Sequence, residues 1–205
     1  MPKIVDPEAR RRAVAQAVLA VVAQRGLEGA SLRNVAEEAG LAIGSVRHYF
    51  TDHDELMIFA MRELGRRTGE RIRAHAERLL APDGDLDRRA ATEELLAEFL
   101  PLDDARREEA VLWITFTAAT HTRPELRPCA AEMQQDMRDL VARVLSEARR
   151  MGGMPADLEV DVESRRLTAL LDGLTLQAAL LPDRMPPKQL RQVLRRHLDA
   201  LRSGG

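Results

Sequence analysis

Residues 31–56 read SLRNVAEEAGLAIGSVRHYFTDHDEL, and this stretch decides the fold. Ser31 is a natural N-cap, because its hydroxyl can accept from an amide that has no helical partner. Leu32, Val35, Ala36 and Ala39 follow at the spacing that puts apolar side chains on one helix face. Gly40 ends that helix, and Gly40-Leu41-Ala42 leaves room only for a tight turn. A second short helix is expected from Ile43 to Tyr49. Val46 and Phe50, four positions apart, turn toward the core. Arg47, His48 and Tyr49 are left to donate hydrogen bonds outward, and the small Gly44 and Ser45 permit close approach of a phosphate. Asp52 or Asp54 then caps a long helix with Leu56, Phe59, Ala60 and Leu64 on one face. A supporting helix, a tight turn and a short second helix form a helix-turn-helix. The second helix fits the major groove of B-DNA, about 12 Å wide, and the first holds it at a fixed angle.

Outward from this core the helical period continues. A first helix is expected from about Asp6 to Gln24, with Val14, Ala17, Val18 and Val21 as its stripe and Gly26 just past its end. After the long fourth helix, five more are expected at about Leu86–Phe99, Asp104–Thr120, Pro124–Arg150, Val162–Leu181 and Pro187–Leu201. Pro82-Asp83-Gly84, Pro101, Pro124, Gly152 to Pro155 and Pro182 to Pro187 separate them. The composition agrees with an all-α chain of about nine helices: aromatics are only 3% of 205 residues, and Ala, Leu, Arg and Glu dominate. The expected organisation is a helix-turn-helix domain over residues 1–56 and a second helical bundle over 57–205.

The net charge is −2, and within residues 1–56 seven Lys and Arg stand against eight Asp and Glu. DNA affinity must therefore come from the placement of charge rather than its total. The first twelve residues are polar and predict no signal peptide. No apolar run reaches the roughly 18 residues of a membrane span. Cys129 is the only cysteine, which excludes an intrachain disulfide; a cytoplasmic protein with a reduced, buried thiol is expected.

Catalysis finds no footing. His48, His53, His75, His121 and His197 are scattered, and there is no His-Glu-x-x-His, paired cysteine ligand set, glycine-rich phosphate loop or Gly-x-Ser-x-Gly elbow. Neither a catalytic residue nor a metal or other cofactor is expected. The rival classes are a helical interaction or ligand-binding protein without DNA activity, and a small helical enzyme.

Taken whole, Ser31 to Leu56 resembles the DNA-binding signature of the TetR family: the Ala39-Gly40 turn, Gly44 in the reader helix, the Tyr49-Phe50 pair and the acidic lead to Leu56. Two positions depart from it. Arg47 stands where most members carry an aromatic, and His53 where most carry a lysine that meets a phosphate. Residues Pro155 to Leu201, with Leu170-Leu171-Asp172-Gly173-Leu174 and Arg195-Arg196-His197-Leu198, resemble the C-terminal domain of the branch that includes the choline-responsive BetI regulators. The resemblance implies a homodimeric repressor that reads a near-palindromic double-stranded operator and is released by a small molecule. Ser31, Arg33, Ala42, Ile43, Gly44, Ser45, Arg47, His48, Tyr49 and His53 are the expected DNA contacts. The family's ligand cavity is flanked by the sixth and seventh helices, where Trp113, Phe116, Thr117, Thr120, Met133 and Met137 are the candidates, with Gln177 as a further polar contact; core packing is the alternative reading of each. The last two helices are implied as the dimer interface. Their stripes, Leu167, Leu170, Leu171, Leu174 and Ala178, then Leu190, Val193, Leu194, His197, Leu198 and Leu201, serve equally to pack within one chain. Leu174 is expected near the centre of that interface.

Overall fold

The computed structural model describes residues 7–80 and 87–203. Among these, nine α-helices follow one another: α1 (Pro7–Arg25), α2 (Leu32–Glu38), α3 (Ile43–Tyr49), α4 (His53–Leu80), α5 (Arg88–Ala97), α6 (Asp104–Ala119), α7 (Arg127–Arg150), α8 (Val160–Leu180) and α9 (Pro187–Arg202). Single 3₁₀ turns at Leu27–Gly29 and Pro124–Leu126 complete the described secondary structure. The all-α expectation holds. The expected seventh helix begins three residues later, because Pro124–Leu126 forms a 3₁₀ turn ahead of it. The expected break at Pro82-Asp83-Gly84 and the expected helix starts at Asp6 and Leu86 lie outside the described residues. No described helix is long and apolar enough to cross a membrane.

The chain forms two compact units, one of Met1–Arg67 with Val111–Ala131, the other of Thr68–Ala110 with Glu132–Gly205. In the first, α1 packs on α2 and α2 on α3. Val14, Val18 and Val21 of α1, Val35 and Ala36 of α2 and Val46 of α3 are buried together with Phe50, Leu56, Met57, Ala60 and Met61. Phe50 lies 5.4 Å from Phe59, ring to ring, and the Arg11 guanidinium covers both rings at 5.4 and 5.0 Å. This arrangement fastens the end of α3 to α4 and to α1. Cys129 is buried, its Sγ 4.0 Å from the Ile58 carbonyl oxygen.

The second unit has its core in Ile72, Leu95, Leu96, Leu100, Val141, Leu145, Leu167, Leu171, Leu174, Leu190, Leu194 and Leu198. Leu174 is therefore a residue of the chain's own core, 5% exposed, rather than the centre of an interface. The stripes on α8 and α9 divide between two destinations. Leu167, Leu171, Leu174 and Ala178, with Leu190, Leu194, Leu198 and Leu201, turn inward. Leu170, Val193 and His197 line an open groove of about 590 Å³ with Gln189, Gln192, Arg196 and Ala200.

A polar network that sequence reading did not foresee joins α4 to the end of α5 and to α6 in this unit. Arg71 donates to Glu98 at 2.9 Å and to Glu109 at 2.8 Å. Arg106 reaches Glu98 at 3.3 Å and Asp103 at 2.8 Å. The His75 ring is fixed between two partners. Arg78 lies 2.7 Å from Nδ1 and can only donate, so Nδ1 accepts and Nε2–H donates to Glu98 at 3.0 Å. Such a network is costly to break at a single member, because the abandoned charge stays partly buried.

Candidate nucleic-acid interface

Local chemistry sets each helix end of the reading segment. The Ser31 hydroxyl accepts from the Asn34 amide at 3.2 Å, as its N-cap position requires. The Asn34 side chain donates to the Gly29 carbonyl at 2.8 Å and pins the preceding turn. At the far end of α2, Gly40 adopts φ 64°. The Leu41 amide reaches back to the Ala36 carbonyl at 2.9 Å and the Gly40 amide to Glu37 at 3.1 Å. This pair of bonds is a Schellman closure, and it needs a left-handed residue that glycine supplies without strain. α3 then starts after Ala42, whose backbone is extended.

α3 has two distinct faces. Val46 is fully buried, as is Phe50 just beyond the helix. Ile43, Gly44, Arg47 and His48 are exposed, while Ser45 and Tyr49 are half-buried. The His48 and Tyr49 rings meet edge to face at 5.3 Å. Gly44 is instructive because its backbone is ordinary helix and a Cβ built on it would meet nothing within 4 Å. Nothing in this unit requires a glycine there.

α4 begins through reciprocal capping. The Asp52 carboxylate accepts from the Glu55 amide at 2.8 Å, and the Glu55 carboxylate accepts from both the amide and the hydroxyl of Thr51 at 2.8 Å. Of the two acids that the sequence offered as caps, Asp52 fills the role. Asp54 instead accepts from Arg123 at 3.3 Å, in the turn after α6. The same guanidinium lies 2.9 Å from His53 Nδ1.

The ten expected DNA contacts thus fall on one stretch of one unit: Ser31 and Arg33 at the start of α2, Ala42 to Tyr49 on and around α3, and His53 at the start of α4. Ser31, Arg33 and Ala42 are exposed and His53 is half-buried. Arg123, 70 residues from His53, escaped sequence reading, because no local pattern announces a partner at that separation.

The expected ligand contacts divide between the units. In the first, Trp113, Thr117 and Thr120 are half-buried, and Phe116 is fully buried in the core. Thr120 donates its hydroxyl to the Thr117 carbonyl at 2.7 Å, whereas the Thr117 Oγ1 is buried without a hydrogen-bond partner. In the second, Met133 and Met137 are half-buried on α7, with Met137 packed against the core, and Gln177 is exposed on α8. Gln177 lies one heptad beyond the groove residue Leu170 and so on the same side of α8.

Comparison with known proteins agrees with this architecture. Residues 16–58 match the family model described as bacterial regulatory proteins, tetR family, and residues 88–203 match that of the BetI-type transcriptional repressor C-terminal domain. The regulator PksA of Bacillus subtilis is 36% identical over 202 residues, covering 98% of this chain and 94% of its own. The regulator BetI of Yersinia pestis is 30% identical over 182 residues, 88% of this chain and 86% of its own. A crystal structure of a transcriptional regulator from Rhodococcus superposes with a TM-score of 0.78 at 31% identity, covering 95% of this chain and 96% of that one. Each of these is described as a transcriptional regulator. With an N-terminal helix-turn-helix followed by a BetI-type domain, the chain belongs to the TetR family of transcriptional regulators.

Proposed function

We propose that this regulator is a homodimeric repressor, working in the cytoplasm, that reads a near-palindromic operator with α3 and leaves it when a small molecule binds. The observation that carries the reading is the two-faced α3, which buries Val46 and turns Gly44, Arg47 and His48 outward. Ser31, Arg33, Ala42, Ile43, Ser45, Tyr49 and His53 complete the proposed contact set. Arg47 supplies a charge-assisted hydrogen bond that the family's usual aromatic cannot.

Two substitutions test this. Gly44→Ala should stabilise α3, by about 0.5–1 kcal/mol, since alanine is the better helix former and its methyl meets nothing in the chain. The same methyl should weaken operator binding about tenfold or more by holding the phosphate off. A variant both more stable and worse at binding is hard to explain by misfolding. Arg47→Ala should leave the melting temperature in place. If Arg47 meets a phosphate, the salt slope should fall by about 1; if it meets a guanine, about 1–3 kcal/mol of discrimination at one base should vanish. Unchanged operator affinity in both variants would remove α3 from the interface.

For the dimer, the supporting feature is the open face of α8 and α9. Besides the groove, Val162, Leu176, Leu180 and Leu181 are exposed large apolar side chains of that segment or its end. Two polar atoms there, Glu163 Oε2 and His197 Nε2, are buried without a hydrogen-bond partner. Burial and the nearby Arg166 hold His197 below the ordinary histidine range, against the pull of Glu163. A two-fold axis brings such a face onto itself, so a donor and an acceptor on one copy meet their complements on the other.

The proposed effector is small and largely apolar. Trp113 and Thr117 are its proposed contacts on α6, and the unpartnered Thr117 hydroxyl supports a polar contact there. In the same unit Thr120 is the further candidate, while Phe116 packs in the core and Met133, Met137 and Gln177 belong to the other unit. Release requires the effector to prefer the DNA-incompetent state, and operator DNA then weakens effector binding by the same factor.

A further inference from the structure

By its resemblance to the family's signature, His53 stands at a lysine position, and it begins α4 half-buried. A neutral imidazole cannot replace an ammonium as a point charge. It can donate one hydrogen bond, provided that its proton sits on the outward nitrogen. Arg123 decides which nitrogen that is. Its Nη1 lies 2.9 Å from His53 Nδ1, and a guanidinium only donates. Nδ1 must therefore accept, and the ring proton belongs to Nε2.

Arg123 is itself held firmly. Its amide donates to the Ala119 carbonyl at 2.8 Å, and its guanidinium also faces Asp54 Oδ1 at 3.3 Å and Glu28 Oε1 at 3.8 Å. The turn carrying it is closed by Arg127, which donates to the Thr120 carbonyl at 2.8 Å. Three elements of one unit, the turn after α1, the start of α4 and the turn after α6, thus meet at a single guanidinium.

We propose that Arg123 is a positioning residue for operator binding: by donating to Nδ1 it fixes His53 as the Nε2–H tautomer and presents that N–H to a DNA phosphate. The inference rests on the operator-binding reading above. It explains how the chain tolerates histidine at a lysine position, and it ties a DNA contact to the turn that follows α6.

The test uses the full-length protein and a palindromic duplex selected by the wild type from random-sequence DNA. Imidazole ¹⁵N–¹H correlation spectra of the DNA-free protein should show His53 as the Nε2–H tautomer, and Arg123→Ala should mix the two tautomers. In binding, Arg123→Ala and His53→Ala should each lose about tenfold in affinity. The double variant should lose no more than either single one, because Arg123 acts through His53. Arg123→Lys, which can still donate to Nδ1, should recover part of the loss. A His53 tautomer unchanged by Arg123→Ala, additive losses in the double variant, or wild-type affinity in His53→Ala would each overturn the proposal while operator binding itself stands. A wild type that selects no duplex would instead defeat the operator reading, and the DNA-free spectra would still decide the tautomer.

Discussion

A Val193→Glu chain is expected to sediment as a folded monomer and to lose roughly 10²–10⁴ in operator affinity. Val193 packs against the core of its own unit but is only half-buried and lines the open groove of α8 and α9, so a glutamate there can turn its carboxylate to water in a single chain. In a two-fold dimer closed on that groove, two carboxylates face one another and lose their water, and desolvated like charges exceed what the surrounding apolar contacts supply. Each monomer still carries one reader helix. What disappears is the second half-site, whose contribution to a tethered pair of readers is of the size just given. Circular dichroism and melting should stay near wild type. A dimeric Val193→Glu in sedimentation at micromolar concentration would place the interface elsewhere. Leu174→Glu makes an instructive contrast. Leu174 is 5% exposed within the second unit's core, so that variant buries an unpaired carboxylate in its own chain and reports on folding rather than assembly.

The second large effect belongs to Phe50. Phe50→Ala is expected to cost about 3–5 kcal/mol, seen as a melting temperature lower by roughly 10 °C. The ring is fully buried, packs against Phe59 at 5.4 Å and lies under Arg11. Removing it opens a cavity where α1, α3 and α4 converge and leaves the Arg11 guanidinium, whose Nε is already buried without a hydrogen-bond partner, over one ring instead of two. Operator binding should fall with it, since α3 is a seven-residue helix and short helices depend on tertiary packing. Phe50→Leu should recover most of the stability. Wild-type melting in Phe50→Ala would contradict the packed role assigned to the ring.

The helix order was legible because the punctuation is local. Ser31 as a cap, Gly26 and Gly40 in left-handed turns, and Val46 with Phe50 on one face act through neighbours within five residues, and the structure carries out each of them. The choice between Asp52 and Asp54 as the cap of α4 stayed open in the sequence because the deciding partner of Asp54, Arg123, is 69 residues away. Distance also hid the Arg71, His75, Glu98, Arg106 and Glu109 network, whose links span up to 38 residues. The amphipathic stripes of α8 and α9 failed differently. Periodicity identifies an apolar face but not what covers it, and only the structure separates Leu174, buried in the core, from Leu170 and Val193, which pack against that core partly buried and also line the groove. The ligand candidates show the same limit, since Phe116 belongs to the packed core while its neighbour Thr117 keeps an unpaired hydroxyl.

The sole thiol of the chain doubles as a clock. Cys129 lies 3% exposed at the start of α7, with its sulfur against the backbone of Ile58 in α4. An alkylating reagent must therefore wait for that helix contact to part, and the labelling rate counts such openings rather than intrinsic thiol reactivity. When reclosing outpaces alkylation, the rate gives the free energy of the opening; when alkylation is faster, it gives the opening rate itself. One chemical group, placed by nature where two helices touch, thus lets the breathing of the DNA-reading unit be timed without altering a residue.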